Sequence, residues 1–264
     1  MKLIACIKEV PDTATQIKIN PAGTEIIKDG VEFIVNPYDE YAVEECLRIK
    51  EKFGEGEVIA VCMGPTRATE AIRKCLAMGV DRAVHLCDPA FEKSDTYATA
   101  KALAKAIEKT GFDLILCGKQ AVDGDGCQVG AQIAELLGIP GVPLIIKLEI
   151  STDKKTAIAH RQVEGATEVV EVKLPALFTC QKGLNEARYP SLKGIMGAKK
   201  KEIKFFTPAD LGEAPGSFGE AGSLARMVKL SLPPTRQGGR KMEGEPEEIS
   251  KELVKSLMEQ DKVI

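Results

Sequence analysis

The sequence has little of what several classes of protein need. It contains only two histidines, and no two of its eight cysteines form a Cys-x-x-Cys pair. A histidine-rich catalytic centre and a cysteine metal site are therefore both disfavoured. The formal net charge of −3 argues against a nucleic-acid-binding protein, which usually carries a basic face. No apolar run approaches the ~20 residues of a membrane span, and the first ten residues are too short for a signal peptide. The composition predicts a cytoplasmic protein with reduced, mostly structural cysteines, no membrane insertion, no nucleic-acid partner and no bound metal.

What is present is typical of an α/β protein. The 264 residues suffice for one large domain and an appendage. Four apolar runs, at residues 3–7, 58–63, 83–86 and 114–117, predict core strands, and helical patterns separate them. This alternation predicts a doubly wound, mostly parallel, Rossmann-like sheet of the adenine-nucleotide-binding type.

Later parts of the chain follow other patterns. Four runs after Pro143, the last at residues 176–180, alternate with a period of two and predict an antiparallel extension of the sheet. We assign residues 1–206 to a nucleotide-binding or FAD-binding α/β domain. Residues 207–264 are rich in proline and glycine up to Pro246 and helical from Glu247 to Lys262. They predict an extended arm that wraps around a partner and ends in a helix.

The segment 113–138 carries the strongest functional signal. It reads as a buried strand, a loop with Gly124 and Gly126, and an amphipathic helix. A glycine loop that leads into a helix N-terminus offers free N–H groups to a phosphate. The spacing to Gly130 misses the G-x-G-x-x-G fingerprint by one residue, and no P-loop is present. From these residues alone, a ligand site and a merely tight turn both stay open. Asp123 and Asp125 would repel a phosphate, so we expect them to form the turn and cap the helix.

Three other predicted strands end in polar or glycine-containing residues. These ends are Lys8 after the first strand, Asn36 and Pro37 before a predicted helix, and Met63 followed by Gly64. Asn36 is expected to cap that helix with its side chain. If the ends converge, they form a crevice that suits an adenine nucleotide.

A second candidate surface lies at residues 187–204. Leu192 and Met196 precede three consecutive lysines, Lys199, Lys200 and Lys201. This segment is either a solvated charge run or a docking segment with an apolar anchor and an electrostatic rim.

Six ordered motifs over nearly the whole chain resemble the small (beta) subunit of the electron transfer flavoproteins. They are KEVPDT, DGV with NPYDEYAVEE, VIAVCMGP, LAMGVDRAVHL, GKQAVDGDGCQVG and LNEARYPSLKGIMGAKKK. The resemblance implies a nucleotide-binding domain in a heterodimer with a larger alpha subunit. That subunit carries a flavin which shuttles electrons between other flavoproteins.

Details of two motifs resemble the electron-bifurcating branch of this family, whose beta subunit binds FAD where simpler members hold AMP. These details are Asp-Gly-Asp at 123–125, and Tyr38 and Tyr41; Cys127 and Ala131 differ from that branch's DGDTAQVGP form. Gly124 removes a side chain and a negative charge beside the phosphates, which favours a diphosphate.

The resemblance to that branch implies a flavin-dependent, NADH-oxidising complex. NADH would reduce FAD on this chain. One electron would pass to the alpha-subunit flavin and an acceptor flavoprotein dehydrogenase, the other to a low-potential carrier such as ferredoxin or flavodoxin. Two alternatives stay open. One is a non-bifurcating beta subunit that holds AMP as a structural nucleotide, and the other is a free-standing adenine-nucleotide-binding regulatory protein.

The resemblance also assigns roles to individual positions. It implies no catalytic side chain, because the cofactor carries the redox chemistry. Leu192 corresponds to the apolar anchor of a partner-recognition loop, with Met196, Lys199, Lys200 and Lys201 beside it. The implied nucleotide contacts are Cys6, Asn36, Pro37, Tyr38, Asp39, Met63, Gly118, Lys119, Gln120, Ala121, Val122, Asp123, Gly124, Asp125, Gly126, Cys127, Gln128 and Val129.

Overall fold

The computed structural model describes residues 1–235, 238–239, 241–260 and 262–263. The strands are β1 Lys2–Ile7, β2 Glu9–Pro11, β3 Phe33–Val35, β4 Glu57–Met63, β5 Arg82–Leu86, β6 Leu114–Gly118, β7 Gly141–Ile150, β8 Thr156–Val163, β9 Ala166–Lys173, β10 Ala176–Cys180 and β11 Ile203–Phe206. The helices are α1 Pro37–Phe53, α2 Thr69–Met78, α3 Thr96–Thr110, α4 Val129–Leu137, α5 Leu192–Ala198, α6 Gly219–Gly222 and α7 Pro246–Glu259.

A nine-stranded sheet organises the chain, in the order β11-β5-β4-β1-β6-β10-β7-β8-β9. All pairings from β11 to β7 are parallel. The chain builds outward from β1 through β4 and β5, and then crosses back to place β6 on the other side of β1. Side chains of α1 and α2 pack in one buried cluster and those of α3 and α4 in another, so the sheet is covered on both faces. The predicted doubly wound fold is confirmed, with its switch point at β1.

One predicted strand lies elsewhere than expected. Residues 176–180 form β10, which is parallel to both β6 and β7 and lies between them. All five of its residues are buried, as is typical of strands covered on both faces. The antiparallel prediction was therefore wrong for this strand, because an apolar run does not encode its direction. The prediction is confirmed for β7, β8 and β9, which form an antiparallel meander.

The C-terminal region begins as part of the α/β core. Leu211 and Phe218 are buried in the same cluster as the side chains of α3. The first part of the predicted arm therefore packs against the hydrophobic core of the α/β domain. Further on, Val228 is largely exposed, and α7 has no buried residue. The last helix was predicted to end at Lys262, whereas α7 ends at Glu259. Asp261, within the predicted range, lies outside the described residues. Over the described ranges, the helices are too short or too polar to cross a bilayer. The boundary at residue 206 stays a prediction.

We expect Phe218→Ala to lower the free energy of unfolding by ~3–5 kcal/mol, the range for removing a buried aromatic ring. Phe218 is 1% exposed, and its ring centroid lies 5.1 Å from that of Phe91. Phe205→Ala is the matched control, because Phe205 is 52% exposed. Equal losses for the two variants, measured by urea unfolding, would contradict a core role for Phe218.

Candidate nucleotide site and docking surface

The candidate nucleotide site lies at the carboxyl ends of β1, β4 and β6, beside the N-termini of α1 and α4. This is the switch point of the sheet, where doubly wound α/β proteins bind ligands. Of the three strand ends predicted to converge, those at Lys8 and Asn36 are both joined to the loop 118–129 by hydrogen bonds. Met63, at the end of β4, is half-buried. β3, which precedes Asn36, belongs to a separate two-stranded sheet with β2.

A buried carboxylate ties the two central strands to α1. Asp39 accepts hydrogen bonds from the backbone N–H of Lys8 at 2.7 Å and of Gly118 at 3.1 Å. It also accepts one from the Asn36 amide at 2.9 Å. Burial raises the pKa of Asp39 to about 7, against the lowering effect of these hydrogen bonds. Asp39 therefore fixes the ends of β1 and β6 relative to each other.

Asn36 orients the glycine loop instead of capping α1. Its side chain makes no capping hydrogen bond to α1, so the predicted cap was wrong. The amide group donates to the Gln120 carbonyl at 2.8 Å, and its oxygen accepts from the Val122 N–H at 3.1 Å. The backbone carbonyl of Asn36 accepts from the N–H groups of Asp39 and Glu40 in the first turn. A fully buried asparagine thus holds the start of the loop.

The acidic side chains of the loop have partners within the protein. Both oxygens of Asp123 accept from the Lys8 ammonium at 2.7 Å, and Asp125 accepts from the Gln120 amide. The predicted turn is confirmed, since Gly124 and Asp125 both donate to the carbonyl of Ala121. The predicted capping by these aspartates was wrong, because Gln128 occupies the N-cap position and α4 has no side-chain cap.

These features fit a phosphate group. The first-turn N–H groups of a helix have no intrahelical partner, and here no side chain caps them. Residues 123–128 are exposed, and a Cβ at Gly124 would meet no atom within 4 Å. Gly130 has a different role, since its Cβ would lie 2.8 Å from the Thr179 methyl. The glycine at 130 thus seats α4 on β10, while the loop main chain stays open to a ligand.

The remaining predicted contacts lie around this loop. Lys119 and Tyr38 face each other, with the ammonium 4.8 Å from the ring centroid. Cys6 is a buried free cysteine, and a hydrogen bond between its thiol and that of Cys117, together with burial, raises the pKa of Cys117. Cys127 contacts the Gln120 side-chain oxygen and adopts a φ of +51°.

One residue of the site escaped the sequence reasoning. Thr96, at the start of α3, donates to the Gln128 side-chain oxygen at 2.6 Å. This contact joins a third helix N-terminus to the loop. No motif marks Thr96, because the contact depends on how α3 crosses the sheet.

The predicted docking residues lie on and after α5. Leu192 is 83% and Met196 is 74% exposed, and Lys199 and Lys200 are exposed beside them. Lys201 differs, because its ammonium donates to the carbonyls of Leu76 and Val80 at the end of α2. Burial lowers the pKa of Lys201, so this lysine holds the segment onto the domain. Across the described part of the chain, no cluster of side chains suits a metal ion.

The fold and this site define a doubly wound α/β protein with an exposed glycine loop and an uncapped helix N-terminus at its switch point. Residues 24–211 match the electron transfer flavoprotein domain. The chain belongs to the electron transfer flavoprotein family.

Full-length relatives place the similarity in the beta subunits. The electron transfer flavoprotein subunit beta of Thermoanaerobacterium thermosaccharolyticum is 47% identical, over 97% of this chain and 98% of the relative. The caffeyl-CoA reductase-Etf complex subunit CarD of Acetobacterium woodii is 43% identical, over 98% of each chain. The human electron transfer flavoprotein subunit beta is 38% identical, over 95% of this chain and 96% of the relative.

Proposed function

We propose that the chain is the beta subunit of an electron-bifurcating electron transfer flavoprotein, that it binds FAD, and that it forms a heterodimer with an alpha subunit. The proposal extends to NADH as electron donor, and to an acceptor flavoprotein dehydrogenase and a low-potential carrier such as ferredoxin or flavodoxin as acceptors. A relative named as a subunit of a caffeyl-CoA reductase-Etf complex, similar over 98% of both chains, supports this branch of the family.

The observation that carries the proposal is the uncapped N-terminus of α4 behind a loop whose acids are already paired. FAD presents two phosphate groups to the loop where AMP presents one, so its diphosphate needs a longer stretch of main chain that is free of side chains. At the loop centre stands Gly124, which brings neither charge nor side chain. Asp123, the nearest acid before it, is neutralised by Lys8.

The chain's own residues would bind and orient the cofactor. Asn36 and Asp39 hold the loop and the strand ends in place, and the N–H groups at the start of α4 would bind phosphate. A bound flavin supplies the chemistry that side chains lack, since it can accept electrons in pairs and release them singly. Within this proposal, Leu192 and Met196 dock the acceptor dehydrogenase, with Lys199 and Lys200 as a basic rim.

The test is to identify the nucleotide that co-purifies with the heterodimer. We expect denaturation to release one FAD per beta chain in addition to any flavin of the alpha subunit, as measured by visible absorbance and mass spectrometry. Release of AMP with no second flavin would instead support the non-bifurcating alternative. A stable, fully protease-resistant monomer that retains an adenine nucleotide would favour the free-standing regulatory protein.

A variant tests the role of Gly124 beside the phosphates. Gly124→Asp is expected to lower FAD retention at least about tenfold, because it returns a carboxylate to the loop near the phosphates. Gly124→Ala is the matched control, since it adds a Cβ into open space without adding charge. Equal FAD retention in the two variants would contradict the role of Gly124.

A further inference from the structure

The docking surface is held by contacts at both of its ends. We define it as the exposed side chains of Tyr189, Leu192, Ile195 and Met196 with the neighbouring lysines Lys193, Lys199 and Lys200. Apart from α5, residues 184–201 have no regular secondary structure. A segment of this kind keeps one conformation only where side chains tie it down.

The end after α5 is fastened to α2. Arg73 donates to the carbonyls of Ala198 and Lys201. Gly194 allows the close approach, because a Cβ there would lie 2.2 Å from the Ala77 carbonyl oxygen. The Arg73 contacts hold the C-terminal end of α5, and the chain that leads into its first turn is positioned separately.

The end before α5 is held to α1 mainly by the guanidinium group of Arg188. Arg188 donates to both oxygens of Glu44, at 2.8 and 2.9 Å, and to both oxygens of Glu51. Its backbone N–H also donates to Glu44 at 3.1 Å. Glu44 is 4% exposed, so its charge is compensated mainly by Arg188. The hydrogen bonds that Arg188 donates to these two glutamates raise the pKa of Arg188, and those to Glu51 lower the pKa of Glu51.

A second side chain completes this attachment. The Asn185 amide donates to Glu45 at 2.9 Å and to the Tyr41 carbonyl at 3.0 Å. All the acceptors lie on α1. The N-terminus of the same helix carries Asp39, which binds the ends of β1 and β6 at the nucleotide site. One 17-residue helix therefore holds both the nucleotide loop and the docking segment.

We propose that Arg188 is a positioning residue for electron transfer: its paired hydrogen bonds to Glu44 and Glu51 hold the docking surface in one orientation relative to the nucleotide site. The proposal rests on the proposed function. The partner that binds the docking surface is an acceptor flavoprotein with an apolar pocket rimmed by acidic side chains, because the anchors Leu192 and Met196 lie among three lysines. Arg188 does not contact this partner itself. Because Arg188 already holds the docking segment in one conformation, the segment loses less conformational entropy when the partner binds.

The experiment compares Arg188→Gln with wild type in the full heterodimer with its nucleotide bound. We expect trypsin to cleave after Lys193 at least about tenfold faster in the variant, the factor that loss of charged hydrogen bonds gives. The apparent KM for the acceptor dehydrogenase that accepts electrons from wild type should rise about tenfold. The kcat should change less than about twofold, because the reacting groups are untouched.

Arg48→Gln is the matched control. It removes an equal charge beside the same acidic side chains of α1, where Arg48 forms an ion pair with Glu45 at 3.6 Å. Neither cleavage nor KM should change in this variant. Unchanged cleavage and KM in Arg188→Gln, with wild-type circular dichroism and nucleotide content, would overturn the proposal.

A milder variant guards against misfolding of Arg188→Gln. Glu51 is on the surface, and Glu51→Gln weakens two of the guanidinium contacts while the buried Glu44 keeps its partner. We expect a rise in KM and in cleavage of about twofold to fivefold. If wild type transfers no electrons to any flavoprotein, the proposed function fails. Cleavage after Lys193 still decides whether Arg188 holds the segment.

Discussion

Replacing Gly118 by alanine is expected to destabilise the protein by about 3 kcal/mol or more and to abolish nucleotide retention. A Cβ at this position would lie 2.2 Å from the Asp39 carboxylate oxygen. It would also lie 2.7 and 2.8 Å from backbone atoms of Tyr38 and Asp39. None of these atoms is the free end of a flexible side chain. The N-terminus of α1 must therefore move away from β6, and the hydrogen bond from Gly118 to Asp39 is lost.

Urea unfolding and nucleotide content measure the two effects separately. Gly124→Ala in the same loop is the control, because its Cβ would meet nothing within 4 Å, and its free energy of unfolding should stay within about 0.5 kcal/mol of wild type. If Gly118→Ala unfolds at the same urea concentration as this control, α1 does not press on β6 as the structure shows.

Much of the fold could be predicted because the relevant signals are local. The four predicted core strands appear as β1, β4, β5 and β6 within one residue at each end. Their apolar runs are short and bounded, and helical patterns separate them. The glycine loop was found for the same reason, since a strand, a loop and a helix follow each other directly at residues 113–138.

The errors concern contacts between distant parts of the chain. Asparagine is a residue type that often caps helices. The side chain of Asn36 instead forms hydrogen bonds with the Gln120 carbonyl and the Val122 N–H, 84 and 86 residues away. Likewise, β10 is separated in sequence from β6 by α4 and the meander, and nothing local indicates that it inserts beside β6. Helix and strand propensities are local preferences of each residue type, and tertiary contacts can override them.

The docking segment shows the same division between local and distant information. The sequence correctly indicates an exposed apolar pair, Leu192 and Met196. It gives no reason to separate Lys201 from Lys199 and Lys200, because three adjacent lysines look alike. Only the fold brings the carbonyl groups at the end of α2 within reach of Lys201.

The second large effect concerns the pH dependence of stability, which we expect Asp39→Asn to reduce. The pKa of Asp39 rises from an ordinary 3.8 to about 7 because the carboxyl is buried. Between about pH 4 and pH 7 the unfolded chain loses this proton while the folded chain keeps it. The folded state then binds more protons, so the free energy of unfolding decreases as pH rises through this window. The full decrease attributable to Asp39 is at most ~4 kcal/mol.

Asparagine has the shape of the carboxyl group, but its NH2 group only donates, so a backbone N–H of Lys8 or Gly118 loses its acceptor in the variant. The variant should therefore be less stable than wild type near pH 4, and the difference should shift in favour of the variant towards pH 8, because only wild type carries the ionising carboxyl. Glu9 and Glu45, whose pKa values burial also raises, contribute to both proteins and cancel in the difference. Urea unfolding of both proteins from pH 4 to pH 8 measures that difference. A difference that stays constant with pH would mean that the Asp39 carboxyl ionises equally in the folded and unfolded chains. Hydrogen bonds from Lys8, Gly118 and Asn36 would then compensate its burial completely.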